Sequence, residues 1–478
     1  MPMSRDLVVD LDAVVQVCAV RNIQRTAVPQ LGPDMLGVQR AQFSPARPVD
    51  RPDVDAAERG VVWHGEATLV VTCEVQRSRF ATVGRRLRTK PELVAVLAVG
   101  LAVRLTLIPI TRGQDFVVWD LASAATLRGT NVYAHHPNYS GGPYSYFPLF
   151  LYIELPFQWL AQHAGLPFTI LGKLPMLVAD IATSLLIAAE LSERRYAPRI
   201  VAVGAAVFFL NPLVIYNSAY YGRFDSVGCA LLLFAVRRLS RRAPGSGIWY
   251  ALAVAAKTFP VFVLPAVLRA ARRARVRAVF TLAAVIGCLS VPYLATWRPY
   301  LHDIVVYDVV KAPQYLSWQR LLLHVTDTDE ARRVSYVLLG LFALGAVGLS
   351  RRVSLERSIA LTFVLFILCS KVVLDQYLIW PLPWLILATW TPPRLIARAS
   401  AVIVIVFTSV GMLANASIHP WGRSPWWLVI GLAVSCACYL LLALNDSPTP
   451  TAPISAEPDP FTITQVPSSA ASELGETQ

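Results

Sequence analysis

Residues 91–120 read PELVAVLAVGLAVRLTLIPI and then TRGQDFVVWD. The first twenty carry only Glu92 and Arg104 among Val, Leu, Ala and Ile, a run long enough as a helix to cross the ~30 Å hydrocarbon core of a bilayer. The next ten turn polar and set Arg112, Asp115 and Asp120 at the mouth of that helix. An apolar span that delivers charged side chains to one membrane surface predicts an all-α, polytopic transmembrane bundle with its chemistry in the first loop outside the membrane.

Further runs of the same kind follow at Ile200 to Ala219, Val334 to Leu349, Ile359 to Cys369 and Ala401 to Ala414. Of the 478 residues 55% are hydrophobic and 15% charged, against about 25% charged in soluble domains. This composition excludes a water-soluble fold. The net charge of +13 would suggest nucleic acid in a soluble protein, but here the basic residues sit in short connections between apolar runs, where they orient helices. No nucleic-acid partner is expected. The seven cysteines are scattered mostly within apolar runs and read as buried thiols.

Basic clusters at Arg194-Arg195, Arg237 to Arg242, Arg269 to Arg277, Arg351-Arg352 and around Arg394 and Arg398 face the cytoplasm by the positive-inside rule. The connections Thr111 to Ser145, Tyr220 to Asp225, Thr296 to Glu330, Lys371 to Tyr377 and Asn415 to Pro425 then face outward. Tyr146 to Leu160 and Ala251 to Leu268 begin and end on one side, which Phe147-Pro148 and Phe259-Pro260 explain as local helix breaks if the parity of spans is right. The expectation is roughly 11 crossings in a plasma membrane, with both termini cytoplasmic. Residues 91–445 form the transmembrane domain, 1–90 a polar cytoplasmic extension compatible with disorder, and 446–478 a disordered tail rich in Pro, Ser and Thr. No cleavable signal is read, so the first span serves as the targeting element.

Among the polar residues Asp115 has the position of a general base: a carboxylate at a cavity mouth that takes a proton from an attacking hydroxyl. Its plainer reading is a solvated acid capping the next helix. Asp120, five residues on, points elsewhere on a helix, and this spacing does not favour the two-carboxylate arrangement of a glycosidase. Cations on the expected outer side that suit an anionic group are Arg223, Lys257, Lys371, Arg112 and His302; a guanidinium can bind two oxygens at once, and Arg223 is preferred because it sits in a motif beside Asp225. Snorkelling is the alternative for Lys257 and Lys371, and an ordinary loop histidine for His302. Lys173 and Asp180 lie two helical turns apart and must seek partners on other helices. His135-His136 are adjacent, present no common metal geometry, and no metal site is assigned. Trp119, Tyr144, Tyr146, Tyr315 and Trp318 either stack on a sugar or belong to the interfacial aromatic belt.

The order of these elements resembles the multispanning GT-C glycosyltransferases, especially the GPI mannosyltransferase I type and the bacterial polyprenyl-phosphate-mannose-dependent enzymes. The resemblance rests on Asp115 after the first span, Tyr146-Phe147-Pro148-Leu149, Lys173-Leu174-Pro175 with Asp180, Asn211-Pro212, Tyr221-Gly222-Arg223-Phe224-Asp225, Lys257-Thr258-Phe259-Pro260, Ser370-Lys371-Val372 and Gln376-Tyr377-Leu378-Ile379-Trp380. It departs at Gly113-Gln114-Asp115, where the GPI type has Asp-x-Asp, and at Arg223, where the family has Gln. The single acid makes the bacterial type the nearer comparison, and a divalent metal is not implied. The resemblance implies transfer of a sugar, mannose by analogy, from a polyprenyl-phosphate donor to a lipid or glycan acceptor, with Tyr146, Asp225, Gln376 and Tyr377 at the substrate. A transporter or flippase for lipid-linked sugars is the alternative, since broken helices and intramembrane charges serve it equally.

Overall fold

The computed structural model describes residues 91–135, 143–243, 245–390, 395–406, 408–409 and 426–445. The expected extension (1–90), the tail (446–478), His136 and the connection 415–425 lie outside the described residues. Those described are helical almost throughout. The chain order is α1 (Pro91–Leu107), α2 (Gln114–Leu127), α3 (Leu149–Ala164), α4 (Leu174–Glu193), α5 (Pro198–Phe209), α6 (Asp225–Ser240), α7 (Ser246–Ala256), α8 (Leu264–Ala270), α9 (Arg275–Ser290), α10 (Thr328–Arg352), α11 (Leu355–Cys369), α12 (Leu382–Trp390), α13 (Leu395–Val406) and α14 (Trp426–Asn445). One parallel ladder of two residues on each side pairs Gln314 with Val372 and Tyr315 with Val373.

Among the described residues four stretches are long and apolar enough to cross a bilayer, Phe168–Glu193, Arg275–Val306, Thr328–Arg352 and Trp426–Leu444, and a fifth arises if Pro198–Phe209 and Pro212–Tyr221, bent by 42°, form one broken span. Other apolar runs are divided into shorter helices, such as Ser246–Ala256 and Phe259–Ala270. The span Arg275–Val306 directs its apolar side chains outward, with Val276, Phe280 and Val291 among the most exposed. That arrangement suits lipid and not water.

Two packed regions matter for the site. A large apolar core joins α4, α5, α6, α7, α11 and α12 through Phe208, Leu232, Val254, Phe259, Phe363 and Trp384. Beside it lies an aromatic cluster in which Phe116 and Trp119 of α2 meet Tyr133, Tyr144, Phe150 and Phe224. Phe150 and Phe224 stack with centroids 3.8 Å apart, and Trp119 meets Phe224 edge-on at 4.9 Å. These contacts fix α2 and α3 against the start of α6.

The break after α5 follows from Asn211-Pro212. Pro212 has no N–H to continue the ladder, and Asn211 caps the next turn by accepting from the N–H groups of Leu213 and Val214. The carbonyl of Phe209 accepts instead from Arg104 Nη1 at 2.6 Å. The chain then makes a π-helix, Tyr216–Tyr221, which ends at Gly222 in the left-handed region (φ 82°). An added Cβ at Gly222 would meet Phe116 Cδ2 at 2.5 Å, so this position needs glycine both for backbone angle and for close approach.

Candidate active site

Buried cations hold this break together. The Lys173 ammonium, fully buried, donates to the carbonyls of Ile108, Thr111, Ala219 and Tyr220 at 2.7–2.9 Å. It thereby caps the end of α1 and the π-helix at once, satisfying carbonyls that neither helix can pair internally. Arg104 Nε donates to Asp180 Oδ2 at 2.8 Å, and Ser218 Oγ donates to the same oxygen at 2.6 Å. Lys173 and Asp180 each find partners on other elements, in structural roles.

At the C-terminal end of the π-helix the chain turns Arg223 towards α2. Its Nε donates to Asp115 Oδ2 at 2.7 Å, and its Nη1 donates to Asn217 Oδ1 at 2.9 Å and to Asp375 Oδ1 at 2.7 Å. The guanidinium lies over the Tyr221 ring, 4.1 Å from the centroid. Arg223 is thus a clamp between two carboxylates that stand far apart in sequence. The Asp115 side chain stays 35% exposed, against 10% for Arg223 and 16% for Asp375. Asp115 Oδ1 has no hydrogen-bond partner among the described residues, so one oxygen is oriented by the arginine while the other is open to a proton donor.

Two residues on, Asp225 is buried at the start of α6. It accepts from Lys257 Nζ at 2.9 Å and from Trp380 Nε1 at 2.6 Å. Lys257 also lies 4.3 Å from the Phe224 ring centroid and 4.7 Å from that of Tyr146. The Lys257 ammonium, read from sequence as a phosphate ligand, is therefore committed to a buried pair in an aromatic cage.

The other candidates are dispersed around this centre. Arg112 pairs with Asp120 and is 46% exposed. Gln158 Nε2 also donates to Asp120, at 3.2 Å. Burial pushes the Asp120 carboxyl up despite Arg112 and Gln158, which pull it down. Lys371 donates to the Val309 carbonyl and lies over the Tyr336 ring. His302 is exposed and touches Asp303. The Tyr146 carbonyl accepts from the Tyr133 hydroxyl at 2.6 Å, while its ring meets Trp119 and Phe224. Gln376 is buried with Oε1 unpartnered, and Tyr377 stacks on Trp380 at 4.2 Å. No group of three or more His, Cys, Asp or Glu side chains with metal-binding geometry occurs among the described residues.

Three polar residues of this region were not singled out from sequence. Asp375 immediately precedes Gln376 in a connection expected from sequence to face outward, a signal that was available. Asn217 shares Arg223. Glu154 is buried on α3 with both carboxyl oxygens unpartnered among the described residues.

Known proteins match this chain in the same terms. The model of glycosyltransferase family 87 matches residues 144–379, which takes in Tyr146, Arg223, Asp225, Lys257 and Asp375 and begins after Asp115. The polyprenol-phosphate-mannose-dependent alpha-(1-2)-phosphatidylinositol mannoside mannosyltransferase of Mycobacterium tuberculosis is 26% identical over 347 residues, covering 66% of this chain and 79% of its own length. GPI mannosyltransferase 1 of Candida albicans is 23% identical over 304 residues, covering 56% of this chain and 72% of its own. These matches support a glycosyltransferase, and the chain carries several helices long and apolar enough to cross a membrane. They are consistent with the GT-C type that its ordered motifs resemble, and they favour an enzyme over the transporter alternative.

Proposed function

We propose that this chain transfers mannose from a polyprenyl-phosphate carrier to a lipid or glycan acceptor at the non-cytoplasmic face of the plasma membrane. In this reading the shorter helices complete roughly 11 crossings and α2 lies in a catalytic outer loop. The donor follows from the face: nucleotide sugars remain in the cytoplasm, so an outward site takes a lipid-linked sugar. Both relatives named above are mannosyltransferases, and the one from Mycobacterium tuberculosis uses a polyprenol-phosphate-mannose donor.

The observation that carries the mechanism is the Asp115 carboxylate, fixed on one oxygen by Arg223 at 2.7 Å and open on the other. Asp115 removes the acceptor proton as the acceptor oxygen bonds to the anomeric carbon. The bond from that carbon to the lipid phosphate breaks with its electron pair on phosphate, and the configuration inverts. Arg112, Lys371 and His302, which keep solvent access, serve the leaving phosphate, while Arg223 acts in this reading as the clamp on Asp115 and not on the phosphate. Lys257 supports this arrangement from below through Asp225. Tyr146, Asp225, Gln376 and Tyr377 shape the substrate cavity.

The test is transfer of labelled mannose from polyprenyl-phosphate mannose in membranes carrying matched amounts of wild type, Asp115→Asn and Asp120→Asn. The expected result is activity in wild type and Asp120→Asn and its loss by at least about 10³-fold in Asp115→Asn. Full activity of Asp115→Asn rejects the base.

A further inference from the structure

The helix pair α6 and α7 has its substrate-facing end at Asp225 and Lys257. Its other end, roughly 24 Å away for the sixteen residues of α6, opens into a cavity of about 730 Å³. The walls are apolar, formed by Ala235, Val236 and Ile248 from the hairpin, Val267 from α8 and Ala278 from α9. The mouth carries Arg242, Arg272 and Arg277, and no acidic side chain among the described residues lines the cavity. None of these three arginines has an ion-pair partner among the described residues. Both ends of the segment from Ser246 to Ala271 line this one cavity, so the segment enters and leaves on the arginine side.

An apolar chamber with unpaired guanidinium groups at its rim is matched by a molecule with a hydrocarbon chain and an anionic head. A soluble phosphate would leave the walls unfilled, and a neutral lipid would leave the arginines unmatched. Basic pockets between membrane helices bind anionic headgroups in this way, and planar guanidinium suits the phosphate. We infer that the cavity holds one anionic phospholipid, its acyl chain against α6, α7, α8 and α9 and its phosphate at Arg242, Arg272 and Arg277. The site is separate from the Asp115 centre and does not depend on the sugar or on the direction of transfer.

Two substitutions test this without damaging the fold. Arg242 occupies a left-handed position (φ 52°) at the end of α6, where the N–H groups of Arg242 and Ala243 bond back to the carbonyls of Leu239 and Arg238. Glycine is the residue that such a helix end prefers, so Arg242→Gly removes the charge while easing the backbone. Gly247 lines the cavity, and a Cβ added there meets its nearest neighbours at 3.8 Å, an ordinary contact. Gly247→Leu therefore places a side chain in the chamber.

The full chain, purified and stripped of lipid, is mixed with equal amounts of phosphatidylglycerol and phosphatidylcholine, and bound lipid is counted by native mass spectrometry. The expected result is one phosphatidylglycerol retained at least tenfold over phosphatidylcholine. That preference is lost in Arg242→Gly/Arg272→Gln/Arg277→Gln, retention of either lipid is lost in Gly247→Leu, and Asp115→Asn behaves as wild type. If the triple variant misfolds, Arg242→Gly alone must lower retention several-fold. Equal retention of the two lipids, wild-type retention by Arg242→Gly and Gly247→Leu, or full displacement by glycerol phosphate, which has the head but no chain, each overturns the inference.

Discussion

Arg223→Gln isolates the clamp on which the proposed base depends. The substitution removes two charge-assisted hydrogen bonds, to Asp115 and Asp375, and one to Asn217. Bonds to charged groups contribute about 1.5–3 kcal/mol each. Asp115 is a third exposed and water replaces part of its bond, so a net loss of about 2.7 kcal/mol in the oriented state is the central expectation. At 1.36 kcal/mol per decade this is about 10²-fold in kcat. Arg223→Lys keeps the charge but as a point donor that reaches one carboxylate, and about tenfold is expected. Transfer from polyprenyl-phosphate mannose is measured over a range of donor concentrations so that kcat and KM separate. A clamp that orients Asp115 lowers kcat and leaves the donor KM within about threefold; a ligand of the donor phosphate raises KM. An Arg223→Gln enzyme with kcat within threefold of wild type refutes the clamp.

Gly222→Ala forces a Cβ against Phe116 at a left-handed φ, and a loss of about 2–4 kcal/mol is expected, read as a lowered melting temperature and reduced transfer. Lys257→Met leaves the Asp225 carboxylate buried without its cation and costs about 3–5 kcal/mol; adding Asp225→Asn recovers part of the melting temperature, because an amide oxygen still accepts from Trp380. Glu154 is buried with both carboxyl oxygens unpartnered among the described residues, so Glu154→Gln, which places no charge there, is expected to raise the melting temperature; an unchanged or lowered melting temperature refutes the reading of Glu154 as an unpaired buried acid.

Much of this site was legible because its residues mark interruptions in apolar runs. Asn211-Pro212, Gly222 and Lys257 through Pro260 stand where a helix cannot continue, and polar groups at such places serve the freed backbone or a ligand. The grouping of Arg223 with Asp225 was likewise local. What stayed hidden were choices between partners. Nothing near Arg223 indicates that its fork faces Asp115, 108 residues earlier, and Asp375, 152 residues later. Nor does the Lys257 motif say that its ammonium turns inward to Asp225 and not outward to phosphate. Glu154 is the one acid of the run Tyr146 to Leu160, and nothing in that run says that it is buried or that Gly172 packs against it, where an added Cβ would lie 3.0 Å from Glu154 Oε2. Among the described residues four or five stretches reach spanning length where roughly 11 crossings are expected from sequence, because hydropathy sums over a run, whereas a proline or a π-turn divides it.

The buried charges of this chain are best understood as one consequence of that division. Arg104 takes the Phe209 carbonyl, Lys173 takes those of Ala219 and Tyr220, and Arg223 takes the Asn217 side chain, so three cations along one path satisfy groups exposed by the break between α5 and α6. In a continuous helix these carbonyls would be paired and the cations would have no place in an apolar interior. Without the π-helix and the left-handed Gly222, the chain would not turn Arg223 back to Asp115. The same interruption that costs the span its regular hydrogen bonds therefore supplies the geometry for a base, and Asp180 and Asp225, as the counter-charges of Arg104 and Lys257, hold that interruption open at both ends.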